Sequence, residues 1–350
     1  MSLIKNYWRV VVKKSNIIIA ACMIITITCG CTNPFVGNAK EKVKDVKLIE
    51  VQNPDYTFTY KTEDGNIIFN NLEQQLSFVD GIAVIVTKGK FGLVNSKGQY
   101  IVEPIYDYIS ELHDGMCAFF IQDISNGVKI GYFNTKGEVA IEPIPADLQL
   151  NSGYSYDYNF YNGIAMYRQP KTYKYGYIDK TGKFIIEPIY EWAGPFKEKL
   201  APVTKGNKFG YINTLGTLVI PYKYVFAEVF SDGLAAVYNG TSWGYIDETG
   251  SYVIPSQFGS YEGHDGEEMA NPFIDGYAAV YLGKGQAYRS DVYKGQFALI
   301  DKTGKILNGQ KYDSLQLTYL EPGKASYTAR LGDKFLTLDT KGNVLKEEQY

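Results

Sequence analysis

Histidine is nearly missing from this chain, with 2 in 350 residues, and three of its 4 cysteines (Cys22, Cys29 and Cys31) fall within the first 31 positions. Transition-metal centres draw on clustered His and Cys, so a conventional His-rich site is excluded. An excess of either charge is also lacking. The 35 basic and 38 acidic side chains leave a net charge of −3, which gives a phosphate backbone little to bind, and nucleic acid is not an expected partner. The calcium-loop pattern Asp-x-Asp/Asn-x-Asp/Asn-Gly is absent. So are the phosphate loop, the dinucleotide glycine fingerprint and the Gly-x-Ser-x-Gly nucleophile turn. No metal and no cofactor is expected.

What the chain does have is 31 Tyr and 35 Gly, on a composition that is 45% hydrophobic and 21% charged. That balance excludes a disordered chain and supplies a core. Tyr favours strands and Gly punctuates tight turns, so the expected fold class is all-β.

The first thirty residues read as an address. Lys5, Arg9, Lys13 and Lys14 form a positive head with no acidic residue before Glu41, and an apolar run follows from Ile17 to Thr28. At about a dozen residues that run suits a signal-peptide core and is short of the roughly 20 that a membrane span needs. It ends in Thr28-Cys29-Gly30-Cys31, which resembles the bacterial lipobox, with Thr28 where Leu is usual. The resemblance implies residues 1–30 as a lipoprotein signal peptide and Cys31 as the lipidated residue. Cys29 is the rival position, and an uncleaved signal anchor is the alternative. Residues 31–55, with Asn-Pro near both ends and alternating Lys and acid between, read as the lipidated Cys and a flexible tether. The expected location is extracytoplasmic, on the membrane of a bacterial cell envelope. Removal of the head leaves 31 basic against 38 acidic groups, a net of −7. Cys117 is then the one unmodified thiol; it sits in the apolar run Met116–Phe120 and reads as a buried side chain.

From residue 56 to 350 the chain repeats itself. The clearest copy runs Phe230-Ser-Asp-Gly-Leu-Ala-Ala-Val-Tyr238, Trp243-Gly-Tyr-Ile-Asp247-Glu-Thr-Gly250 and Tyr252-Val-Ile-Pro255. The aromatic-Gly…Asp/Asn-x-x-Gly phrase recurs around Gly92, Gly131, Gly176 and Gly210, and in altered form around Ala298 and Leu336. Spacings from one Asp/Asn (95, 134, 179, 213, 247, 301, 339) to the next are 39, 45, 34, 34, 54 and 38. That makes seven copies with a basic period near 34, and Tyr56–Phe69 reads as a degenerate leading half-copy. Trp243, Tyr245 and Asp247 alternate with Gly244 and Ile246 at strand period. Asp247 and Gly250 close a tight hairpin. Pro255 is expected to end the return strand, and Gly244 to mark a close crossing by a large group or by backbone.

These residues resemble the WG-repeat family (also called KWG repeats) over about 56–345, although only Trp243-Gly244 is the literal pair. The resemblance implies a β-rich repeat of bacterial surface proteins, usually without a defined activity. Units of three to four strands must stack to bury their faces. A β-propeller is the expected closure, with an open β-solenoid as the alternative.

Glu103, Glu142 and Glu187 each precede Pro and invite comparison with paired glycosidase carboxylates, but they recur once per repeat, as structural residues do. His113 fills a pre-turn slot held elsewhere by Ser231 or Tyr161. Three stretches depart from the repeat. The first is 151–161, where Tyr154, Tyr156 and Tyr158 alternate ahead of Tyr161; rings on one strand face can stack on sugars or receive peptides. The second is 261–271, acidic, with His264, Asp265 and Glu267. The third, 284–294, reads as an extended hairpin. The expected function is a surface-anchored, non-catalytic scaffold that displays these stretches from one rim to a protein or peptide. Binding of an envelope polysaccharide through the tyrosines is the alternative, and a carboxylate-dependent glycan hydrolase the second. Replacing Cys31 by Ala should abolish incorporation of labelled lipid and leave an unprocessed precursor; continued labelling would move the lipid to Cys29 or defeat the lipoprotein assignment.

Overall fold

A computed structural model describes residues 47–123, 127–147, 157–261, 270–283, 286–287, 296–321 and 324–349, all within the unit Asp45–Tyr350. Each repeat folds as the hairpin logic requires. In the fifth copy, Phe226–Ala227, Ala235–Tyr238, Trp243–Ile246 and Tyr252–Phe258 pair antiparallel in chain order. The Asp247 side chain accepts hydrogen bonds from the amides of Thr249 (2.9 Å) and Ser251 (3.1 Å), and Gly250 takes φ +83°. All seven Asp/Asn-x-x-Gly turns carry the same pair of amide bonds to the leading side chain.

The seven copies are blades of a β-propeller arrangement, not an open solenoid. The first blade holds Ile82–Thr87, Lys90–Asn95 and Tyr100–Tyr106; the second adds Tyr108–Ile109 to Met116–Asp123, Gly127–Asn134 and Val139–Pro145. The third is Phe160–Tyr161, Ile164–Arg168, Tyr175–Asp179 and Phe184–Tyr190, and the fourth Leu200–Lys205, Lys208–Asn213 and Leu218–Tyr224. The sixth pairs Tyr277–Tyr281 with Phe297–Asp301, and the seventh is Ser314–Glu321, Lys324–Leu331, Lys334–Leu338 and Val344–Gln349. The leading stretch exceeds the expected half-copy: Ile49–Gln52, Phe58–Lys61 and Ile67–Leu72 form a three-stranded sheet. The end of the expected tether is thus a strand, because Glu50 and Val51 find ladder partners in Tyr60 and Thr59.

The aromatic-Gly strand is buried on both sides. Trp243 and Tyr245 pack forward with Phe273, Ala278 and Val280 of the sixth blade, whereas Ile246 packs backward with Tyr211 and Ile220 of the fourth. Each joint is built alike. Tyr245 donates its hydroxyl to the Asn271 carbonyl at 2.8 Å and meets Phe273 edge-on, centroids 4.8 Å apart. Tyr132 with Phe160, Tyr177 with Phe196 and Tyr211 with Phe230 repeat the ring contact at 4.8, 4.7 and 5.1 Å, and their hydroxyls reach Tyr158, Gly194 and Glu228 carbonyls. Where the first blade has Leu93 in place of Tyr, the second supplies Leu112 to the same cluster.

The repeat glycine and the repeat proline prove to be one device. Trp243 pairs with Phe258 and Tyr245 with Ile254, so the return strand holds two extra residues opposite Gly244. A Cβ on Gly244 would stand 2.7 Å from the Ser256 nitrogen and 2.8 Å from the Ile254 carbonyl oxygen. Gly92, Gly176 and Gly210 face their own bulges in the same way, while Gly131 is also crowded by the Phe119 ring. Pro255 therefore does not end the strand; it sits in the bulge, where no ladder donor is required. The seventh copy bears out the coupling, and the sixth loses its return strand altogether. They carry Ala298 and Leu336 in place of Gly and have no proline in the return segment. The seventh blade then runs in unbroken register from Lys334↔Gln349 to Thr337↔Lys346. Gly244→Ala is expected to cost roughly 1–3 kcal/mol in chemical denaturation, as overpacking against backbone does. Ala298→Gly should bring no such relief, and equal effects at the two positions would disprove the coupling.

Candidate functional site

Antiparallel order within each blade gives the array two rims. The turns after the first strand (Asp-Gly type) and after the third (Asp/Asn-x-x-Gly) lie on one, here the turn rim. The connections between second and third strands, and from blade to blade, lie on the other. The described flanks of the second and third repeat-breaking stretches fall on this loop rim, after the fourth strand of the fifth blade and between two strands of the sixth, whereas the first stretch ends in Tyr161 at the turn rim. The structure also joins the last two stretches at their bases: Ser260–Tyr261 pairs in parallel with Gln286–Ala287. Tyr154, Tyr156, His264, Asp265 and Glu267 lie outside the described residues, as does Cys31.

Tyr158 corrects the expected aromatic stripe. It is 5% exposed, its hydroxyl donates to the Asp147 carbonyl at 3.0 Å, and its own carbonyl receives Tyr132. Its ring therefore belongs to the joint between the second and third blades and presents nothing to a ligand. Tyr161 lies elsewhere, beside the turn rim.

That rim carries the departures that matter. The residue after the joint Phe or Leu varies from blade to blade: Val79, His113, Tyr161, Lys197, Ser231, Ile274. Neighbours in this row touch. The His113 and Tyr161 rings lie 5.5 Å apart, and the Lys197 ammonium stands 5.4 Å over the Tyr161 ring. Asp157 ties the group together, accepting from the Tyr161 hydroxyl at 2.6 Å and pairing with Lys197 at 3.6 Å. Burial first, then this bond to Asp157, pushes the Tyr161 phenol well above its ordinary range. Where the first, second, fifth and sixth blades carry Asp-Gly and the third Asn162-Gly163, the fourth carries Glu198-Lys199.

Beside this row opens a groove of ≈ 680 Å³, lined by Asn162, Lys197, Glu198, Lys199, Asn213, Thr214 and Glu248 over a floor of Leu200 and Val219. Lys199 pairs with Glu248 at 3.0 Å. Glu198 accepts the Gly233 amide at 3.2 Å, and Asn162 donates to the Phe196 carbonyl at 3.2 Å. Similar bridges stiffen the rim on either side: Asp114 accepts Gly163 N–H and pairs with Lys180, and Asp232 does the same with Gly276 and Lys302. The lining is thus mostly polar, seven side chains of that kind against two aliphatic ones. Apart from Tyr161, sequence reasoning missed this site. The signal was present in the row of non-equivalent residues at one repeat position, which becomes visible once copies are aligned on their Phe.

Other chemistry is dispersed. Glu103, Glu142 and Glu187 are exposed, one to a blade, on the Pro bulges. Among the described residues no group of three or more His, Cys, Asp or Glu is placed to hold a metal ion, and no helix is long and apolar enough to cross a membrane. Cys117 is buried, and burial pushes its thiol up to about 12.

The fold defines a propeller-type repeat protein whose turn rim carries a groove lined by three adjacent blades. A profile of the WG containing repeat matches residues 91–123, 175–209, 209–240 and 243–284. The chain is a WG-repeat protein. Curated proteins offer no match. Among solved structures, it is similar to the uncharacterized protein lmo1340 of Listeria monocytogenes EGD-e, with 11% identity, a TM-score of 0.45 and coverage of 79% of this chain and 93% of that one. Hsv2 of Kluyveromyces lactis aligns at 11% identity and a TM-score of 0.41 over 77% of this chain and 95% of its own. The WD40 domain of Toxoplasma gondii coronin aligns at 11% and 0.35 over 79% and 78%.

The rim turns also set a pH dependence. Hydrogen bonds from the hydroxyls of Thr181, Thr249 and Thr303, and then from turn amides, hold the carboxyls of Asp179, Asp247 and Asp301 below the ordinary 3.8. Their folded values lie below the unfolded ones, so their contribution is fully present above about pH 4 and is lost as pH falls through the folded values. The urea midpoint should decline across that acid range. The triple variant Asp179→Asn, Asp247→Asn, Asp301→Asn should decline less steeply, since Asn95, Asn134 and Asn213 already close the same turn without a titrating group; an unchanged slope would refute the assignment.

Proposed function

We propose that this chain is a non-catalytic binding scaffold, held outside the cytoplasm by a lipid on Cys31, that receives a protein or peptide in the turn-rim groove between the third and fifth blades. The observation that carries this role is the clustering of non-repeat side chains. The scaffold needs neither Lys197 over the Tyr161 ring nor Glu198-Lys199 in place of Asp-Gly, yet Lys197, Glu198 and Lys199 all line one cleft. A repeat array that binds usually does so where its copies differ, because the shared residues are committed to packing. Support for a non-catalytic role comes from the carboxylates: those that recur are spread one to a blade, whereas those in the groove are engaged with lysines or backbone amides.

The test is site-specific photocrosslinking of the full-length protein in its native envelope. A photoreactive residue at Thr214 should yield a light-dependent adduct with a protein. One at Lys341, on the equivalent turn of the seventh blade, should not. Adducts of equal intensity at both positions, or none at Thr214, would refute the assignment of the groove.

A further inference from the structure

The loop rim carries its charge unevenly. On the third blade the hairpin after Arg168 exposes Lys171 and Tyr173, with Lys174 half-buried beside them. On the fourth, the tip exposes Lys205 and Lys208, and Lys223 stands exposed at the end of the last strand. Asp147 is taken up by Arg168 at 2.6 Å, which leaves Glu191 as the carboxylate among these lysines. Glu191 pairs with Lys174 at 3.8 Å and accepts the Asn207 amide at 3.4 Å, so it draws the two hairpins together. Among the described residues Lys171, Lys205, Lys208 and Lys223 have no carboxylate partner, and Lys223 lies 5.0 Å over the ring of its neighbour Tyr224. Elsewhere Lys90 pairs with Asp107 and Lys334 with Glu347, and the fifth-blade tip, Asn239–Ser242, has no charge.

Tyr173 sets this patch apart from a merely basic surface. Its backbone has φ +57°, in a hairpin where other blades place Gly89, Gly206, Gly240 and Gly332 at positive φ. A bulky residue is strained there, and the repeat has glycine for the purpose. The ring is nonetheless 58% exposed. It is also held in place: the Arg168 guanidinium stands 5.3 Å from its centroid, and Arg168 Nε donates to the Tyr173 carbonyl at 3.3 Å. Val225, two residues beyond Lys223, adds an exposed aliphatic side chain. Lysines around a fixed, projecting aromatic suit the surface of an anionic bilayer. The ammonium groups meet headgroup phosphates, and the amphipathic ring enters the interfacial layer. A soluble polyanion would engage the lysines and leave Tyr173 and Val225 without a role.

We infer that the loop rim of the third and fourth blades docks on the anionic lipid headgroups of the membrane. This rests on the envelope location proposed above and adds the face that meets the bilayer; the turn-rim groove then points away from it. The first described strand begins on the turn rim, with Ile49 opposite Lys61 beside the Thr62–Gly65 turn. At about 3.3 Å per residue, the sequence from Cys31 to that strand outreaches a seven-residue blade strand of roughly 23 Å.

The experiment replaces Tyr173 by photoreactive p-benzoylphenylalanine in the full-length protein, with Leu215, 84% exposed on the turn rim, replaced as the control. Each protein is reconstituted with vesicles of phosphatidylcholine alone or with added phosphatidylglycerol. Light should couple position 173 to lipid in the anionic vesicles, roughly fivefold or more above the neutral ones, and the yield should fall at high salt. The triple variant Lys171→Gln, Lys205→Gln, Lys208→Gln should lose about tenfold. Its three side chains are exposed, so its thermal unfolding should be unchanged and serves as the folding control. Equal coupling at position 215, indifference to phosphatidylglycerol, or full coupling in the triple variant would overturn the inference. So would binding of soluble inorganic polyphosphate, insensitive to Tyr173→Ser, with no coupling to lipid. Flotation with the neutral vesicles reads the N-terminal anchor by itself. If flotation fails there while position 173 still couples to anionic vesicles, the anchor fails and the docking face stands. Flotation without coupling keeps the anchor and removes the docking face; if neither appears, both fail.

Discussion

The structure depends on one joint, repeated from blade to blade: a buried tyrosine that closes edge-on against the first aromatic of the next blade and gives its hydroxyl to that blade's backbone. Full burial of a large apolar side chain contributes about 1.5–3 kcal/mol. The ring contact adds about 0.5–1.5, and the hydrogen bond is worth about as much in net terms. Apolar burial is the largest contribution, but the hydroxyl fixes the geometry, because a phenol left without an acceptor inside the stack would cost more than the bond yields. That is why Tyr132, Tyr177, Tyr211 and Tyr245 each reach a carbonyl of the following blade. The first blade keeps the burial without the bond, by matching Leu93 to Leu112.

A close joint demands a strand without bulk on its crowded side. Gly244 and its equivalents answer that demand, since the proline-bearing return strand arches over them and leaves no room for a Cβ. Glycine and proline are therefore two halves of one backbone feature. Their joint loss in the seventh copy removes the bulge and restores plain pairing. The sixth copy goes further, with a short 3-10 turn at Leu307–Gly309 where its neighbours have a return strand.

The rim follows from the same joint. With the blades fixed at one spacing, the residue after each joint aromatic is brought next to its counterpart on the neighbouring blade. Where the chain places His113, Tyr161 and Lys197 in that slot, a contiguous row results, and Glu198-Lys199, standing where other blades have Asp-Gly, line the cleft beside it. Nothing in the covalent chain places Asp157 near Lys197, forty residues away; their contact is a product of stacking.

Read alone, the chain already determined the repeat, its period, the hairpin with its Asp/Asn cap and turn glycine, the crowding at Gly244 and the all-β class. Each is set by residues a few positions apart, and local geometry suffices. It left undecided what only packing between blades decides: that Pro255 lies inside a strand and not at its end, that Ile49–Gln52 joins a sheet, and that Tyr158 is core while Tyr161 is rim. The tyrosine stripe misled because strand alternation tells which side chains share a face, not whether a neighbouring blade covers that face. The groove was invisible for the same reason, since its lining comes from three blades and is assembled only by the distance between them.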